Sequence, residues 1–162
     1  MKDQMMHWMG SDLVLTPNRI YRKIGNRILI VALLFLILGL FLFIRLHDFW
    51  QMPLAIAFCL GLPTFIHKIA VVQQKVIIPP GKDGQIVFCI GNLYQCNVVR
   101  KNEAVIVRNT LNGRAFYAVA DQQNRYGKSY QISPFLNRRK RAVQFEEEVF
   151  PVIRKQLEIW HS

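Results

Sequence analysis

The densest cationic stretch of the chain is Asn137-Arg138-Arg139-Lys140-Arg141. Near the start of a helix such cations oppose the macrodipole, at roughly a few tenths of a kcal/mol each, so local helix stability does not explain them. One reading is contact with anionic lipid headgroups, at about 1 kcal/mol per basic residue held near a membrane surface. Nucleic-acid phosphates offer similar chemistry. That reading is disfavoured, because no helix-turn-helix, RNA-binding motif or aromatic stacking pattern accompanies the charge. The plain alternative is a solvated face balanced by Glu146, Glu147 and Glu148 one or two turns later. A second basic group, Arg19, Arg22, Lys23 and Arg27, is interleaved with Ile20, Tyr21 and Ile24. It reads as a lipid-binding interfacial segment or as a positive flank that sets membrane topology. Arg19, Arg22, Lys23, Arg27, Arg138, Arg139, Lys140 and Arg141 are thus the candidate anionic-lipid contacts.

Other chemistry is sparse. His7, His47, His67 and His161 have no partner His, Cys or carboxylate at metal-ligand spacing. Cys59 lies in an apolar run. Cys89 and Cys96 flank a turn, as a redox pair or half a metal site would, or as two small buried hydrophobes on adjacent strands. The acids of the strand region, Asp83, Glu103 and Asp121, all fall at turns, a poor supply for acid–base catalysis. No catalytic, cofactor or metal site is expected, and the chain reads as non-enzymatic.

What must position the basic groups is an apolar insertion. Residues 28–44 carry no charge, and a second apolar run covers 53–66 and extends to 72 if Lys68 snorkels. A helix needs about 20 apolar residues to cross a hydrocarbon core about 30 Å thick. The reading is a transmembrane helical hairpin over 28–72, with Gly39 and Gly61 permitting close helix approach. The connector holds Phe49 and Trp50, which suit the membrane interface. It has Arg45 as its one Lys/Arg, whereas the flanks hold Lys2, Arg19, Arg22, Lys23 and Arg27 on one side and Lys68, Lys75 and Lys82 on the other. The positive-inside rule then places both termini in the cytoplasm of a bacterial cell and the hairpin in its inner membrane. The first run lies too far in, and lacks the small-residue site, for a cleaved signal peptide. Residues 1–27 are expected as a basic tail and juxtamembrane segment, loose to position 16, with Thr16-Pro17 starting a helix.

The net charge of +11 over 162 residues favours anionic partners, and beside a membrane hairpin lipid headgroups take precedence. Residues 73–162 change period. Strands are expected at 75–78, 85–90, 93–100, 104–108, 115–120 and 128–132, joined by tight turns. Asn112-Gly113 is the strongest hairpin signal, since both residues tolerate positive φ. From Ser133-Pro134 an amphipathic helix follows, with Ala142, Phe145, Val149, Val152, Ile153, Leu157 and Trp160 at three- and four-residue steps and Pro151 interrupting it.

The fold class is therefore an α+β membrane protein. Its N-terminal two-helix hairpin is followed by a small cytoplasmic antiparallel β-sheet domain closed by a C-terminal amphipathic helix. In this order of parts, spanning 28–72, 75–132 and 133–160, the chain resembles small bacterial two-span membrane proteins with a pleckstrin-homology-like domain. That resemblance is one of architecture and transfers no functional residues. The expected role is an adaptor or accessory subunit of a membrane protein assembly, with the bilayer and a membrane or cytoplasmic protein as partners. A membrane-acting effector, such as a plasmid or phage exclusion factor, is the alternative, and an enzyme the third.

Overall fold

The computed structural model describes residues 5–47, 49–81, 84–125 and 127–158. The N-terminal stretch, expected as a loose tail, is instead a β-hairpin. Strands β1 (Met6–Met9) and β2 (Asp12–Leu15) pair antiparallel, with Met9 opposite Asp12. Gly10 takes φ 64° in the two-residue reversal, the glycine-first arrangement of a tight hairpin. The helix start is displaced as well: a 3-10 turn at Arg19–Tyr21 precedes α1 (Arg22–Arg45). Thr16 is buried; its N–H donates to the Met5 carbonyl at 2.7 Å, and its carbonyl accepts from Arg19 N–H at 3.2 Å to open the 3-10 turn.

Two compact units result. One takes the described residues up to Ile20 and from Gln73 onward; the other is Tyr21–Val72. The expected order, a hairpin followed by a β domain, is therefore revised: the helices interrupt a sheet unit drawn from both sides of them. The molecule is α+β, with two long apolar helices and antiparallel sheets.

In the sheet unit, β3 (Gln74–Ile78), β4 (Gln85–Ile90) and β5 (Tyr94–Arg100) continue from β2 as a five-stranded antiparallel sheet in chain order. Leu13 lies opposite Ile78 and Leu15 opposite Val76, so the register crosses the insertion without a gap. One cross-strand row runs Met6, Leu15, Val76, Phe88, Cys96. A bulge between Ile86 and Val87 leaves Val98 as the extra residue and sets Val99 opposite Ile86, which breaks the simple alternation expected for β5. Strands β6 (Ala104–Leu111), β7 (Arg114–Asp121) and β8 (Ser129–Gln131) form a separate three-stranded sheet. Asn112 (φ 51°) and Gly113 (φ 73°) make its first reversal, as their types require.

The C-terminal helix starts later than expected. Residues 133–138 are irregular and anchored. The buried Ser133 Oγ accepts from Tyr117 N–H (2.7 Å) and donates to the Pro134 carbonyl (2.9 Å), while Leu136 N–H donates to Ala115 (2.8 Å). Helix α3 (Arg139–Gln144), a π-helical turn (Phe145–Val149) and α4 (Phe150–Glu158) then follow without a break. Pro151 does not split the helix. Its ring would crowd the carbonyl four residues back, Glu147, which lies inside the widened π turn. Phe145, Val149, Ile153 and Leu157 are buried in one core with residues of both sheets, and Tyr117 stacks on Phe145 at 5.8 Å between centroids. Burying this stripe is what closes the unit. Trp160, expected at its end, lies outside the described residues.

In the helical unit, α1 is 24 residues long; α2 (Gln51–His67) runs on through a π turn at Lys68–Val72. The two helices pack antiparallel along small residues. A methyl group at Gly39 would meet Leu54 Cδ2 at 2.7 Å, one at Gly61 the Ala32 Cβ at 3.5 Å, and one at Gly25 the Thr64 side chain at 3.9 Å.

Candidate functional site

The long unbroken Leu/Ile/Phe run makes α1 a helix, because propensity is good and no proline interrupts it. It does not make α1 a core helix. Of the most apolar stretch of either helix only 11% is buried. Ala32, Gly39, Pro53 and Ala57 are the buried positions of α1 and α2, while Leu34 (61% exposed), Ile37, Phe41 and Ile44 on α1, and Phe58, Leu62 and Phe65 on α2, face outward. An apolar groove of about 310 Å³ runs along the pair, lined by Leu29, Leu33, Leu36, Phe58, Leu62 and Phe65. Exposed contiguous apolar surface on this scale marks an interaction surface.

Polar groups gather at the two ends of the pair. Arg22, Lys23 and Arg27 are exposed on the first turns of α1, and Lys68 follows the C-terminus of α2; since Gly25 lies against Thr64, these cations share one end. At the other end Arg45 and His47 accompany aromatic side chains, with Phe43 edge-on to Trp50 at 5.2 Å. His47 and Phe49 both take positive φ (57° and 56°) to turn the chain there. Asp48, expected beside His47, lies outside the described residues.

The remaining basic candidates belong to the sheet unit. Arg19 is exposed in the 3-10 turn. Arg138, Arg139 and Lys140 are exposed at the start of α3, whereas Arg141 is half-buried and engaged. The structure places the four-residue run on one helical turn, where the Arg138 carbonyl accepts from Arg141 N–H (2.9 Å) and Ala142 N–H (3.0 Å).

The cysteines separate. Cys96 lies opposite Phe88, so Cys89, one residue on, faces the other side of the sheet, opposite Lys75 and Gln95. They cannot pair or share a metal. Cys96 Sγ instead donates to Tyr130 Oη (3.6 Å) between the two sheets, beside a Phe88–Tyr130 ring contact at 4.7 Å. The Cys96 hydrogen bond, burial, and the neighbouring Cys96 and Tyr94 push Tyr130 up to about 12, keeping it neutral. Burial likewise raises Cys89, against the pull of Lys75. Two of the described acids hold local structure. Asp121 Oδ1 accepts from Gln123 N–H (2.9 Å), and Glu146 accepts from the Tyr117 hydroxyl (3.1 Å). Asp83, His161 and Lys82 lie outside the described residues. Among the described residues no group of three His, Cys, Asp or Glu side chains comes together.

Three residues stand out only in the structure. Lys101 is 2% exposed; its Nζ donates to the Pro79 carbonyl (3.2 Å), and burial holds its amine below the ordinary range. Asn18 is buried and donates to Gln74. His7 has a buried Nδ1 without a partner, and burial, Arg19 and Lys75 hold its imidazole below 6.5. A signal for the strand carrying His7 was present in the Gly10-Ser11 reversal between apolar runs. Nothing in sequence marks Lys101 as buried.

No protein-family model matches the chain, and neither a curated protein nor a solved structure matches it.

Proposed function

We propose that the protein is a bacterial inner-membrane protein whose helix pair crosses the bilayer as a hairpin and anchors the sheet unit at the cytoplasmic surface. It acts there as a non-enzymatic adaptor or accessory subunit of a membrane assembly. The observation that carries the membrane reading is the outward apolar surface of the helix pair. A core helix of a water-soluble protein would bury that surface, whereas lipid covers it at no cost in unsatisfied backbone groups. At 24 residues, α1 is about 36 Å long, enough for a hydrocarbon core about 30 Å thick. The pairing of β2 with β3 supports the same reading. The chain leaves the sheet after Leu15 and rejoins it beside the strand it left, so the insertion must return to the side it came from, as two spans do. It also argues against α1 as a removable leader, since cleavage there would strip two strands and the core residues Met6, Leu13 and Leu15.

The cations at the Arg22 end and the aromatic, cation-poor turn at the Trp50 end fit both termini inside. Arg19, Arg22, Lys23 and Arg27, with Arg138, Arg139, Lys140 and Arg141, then serve as contacts to anionic headgroups. The placement is tested by labelling intact bacteria with a membrane-impermeant thiol reagent. A cysteine replacing Phe49 should react from outside and one replacing Asn112 only after lysis; the reverse pattern overturns the topology. The adaptor role is tested by crosslinking in the membrane. A defined membrane-protein partner is expected, and its absence alongside a growth or infection phenotype of the chain alone would favour an effector.

A further inference from the structure

We infer that the turn between β4 and β5 is a third membrane contact, with Leu93 inserted into the interface of an anionic bilayer and Tyr94 at headgroup level. This rests on the membrane reading of the helix pair. Leu93 is 77% exposed, more than any other large hydrophobic side chain described in the sheet unit, and the adjoining Tyr94 is 53% exposed. A leucine at a turn tip gains nothing from water, and an apolar cover would lower its free energy.

The turn's position supplies one. Gly91 N–H donates to the Gln73 carbonyl at 3.1 Å. Gln73 directly follows Val72, the last residue of the helical unit. Gly91 takes φ 55°, and Leu93 N–H closes the turn on the Ile90 carbonyl at 3.1 Å, so Leu93 stands two residues beyond the tether. By chain connectivity alone, the turn lies within a few residues of the point where the chain emerges from the bilayer. The other exposed turns differ. Met9 and Leu111 sit at reversals that, among the described residues, no backbone hydrogen bond ties to a residue beside the helical unit.

The surrounding charge fits anionic lipid. Four segments meet at this end of the sheet, and their described residues, 5–7, 16–20, 73–75 and 90–95, contain Arg19 and Lys75 and no acid. Arg19 is exposed and Lys75 is half-buried. A leucine at the turn tip, with cations in the neighbouring segments, matches the composition of the interface that polar headgroups and acyl chains present.

The test uses the full chain in vesicles of phosphatidylethanolamine and phosphatidylglycerol. A small fluorescent amino acid replaces Leu93, Leu111 or Ile37 in turn, and quenching by doxyl-labelled lipid is read. All three positions are exposed, so replacement leaves packing intact. Quenching at 93 is expected to exceed that at 111 several-fold, and to weaken when phosphatidylglycerol is omitted. Equal quenching at 93 and 111, with strong quenching at 37, overturns the inference and leaves the membrane reading standing. Absence of quenching at 37 overturns the membrane reading itself.

Discussion

Asn18 Nδ2 donates to Gln74 Oε1 at 3.1 Å, joining residues 56 positions apart on the two segments that lead into and out of the helical insertion. Together with the β2–β3 register, this bond makes one sheet from a chain that leaves it and returns.

Replacing Asn18 by Leu should lower the stability of the detergent-solubilised chain by about 1 kcal/mol, the ordinary net value of a hydrogen bond. In a double-mutant cycle with Gln74→Leu, urea unfolding should give a coupling of about 0.5–1.5 kcal/mol. Strict additivity would mean the two side chains do not work as a pair.

The helix seam should discriminate between its glycines. Gly61→Ala adds a methyl at ordinary contact distance from Ala32 and should be neutral, or stabilising by up to about 1 kcal/mol through helix propensity. Gly39→Ala drives its methyl into Leu54 and should cost about 1–3 kcal/mol relative to it. Thermal loss of helical circular dichroism compares them, and identical curves would refute the close approach at Gly39.

Lys101 should behave as a core residue. Lys101→Ala removes a long buried stem and the donor to the Pro79 carbonyl, for a loss of about 2–4 kcal/mol. Lys101→Met keeps the volume without the charge, so it should cost less. Denaturant midpoints decide; a larger loss for Met than for Ala would show that the ammonium, not the packing, matters.

His7 should make stability fall in mild acid. Its folded-state pKa lies below 6.5 through burial, Arg19 and Lys75, so as pH falls the unfolded chain binds the proton first. The stability held above 6.5 is then lost progressively until pH passes the folded value. His7→Leu should flatten that part of the curve when melting temperature is followed against pH. An unchanged slope would assign the dependence to another group.

Strand positions from Gln74 onward were legible because their apolar runs are bounded by Pro-Pro-Gly, Gly-Asn and Asn-Gly punctuation. The first two strands were marked by the Gly10-Ser11 reversal alone. Met6–Met9 and Asp12–Leu15 are too short to show a period, and Asp12–Leu15 joins the sheet through a strand more than fifty positions away in sequence. The helix start at residue 133 failed for a related reason: Ser133 is drawn into hydrogen bonds with Tyr117 and Pro134. Cys89 and Cys96 looked like neighbours in sequence, and strand parity sends them to opposite faces.

By itself, then, the sequence determined the two apolar helices, the cationic flanks and the later strands, since each follows from local composition, period or turn chemistry. Only tertiary structure decided that the helices interrupt a sheet, that Asn18 reaches Gln74, that Lys101 is buried, and that the Gly91 turn is tethered to Gln73. Those depend on pairing between segments distant in the chain, which no local pattern encodes.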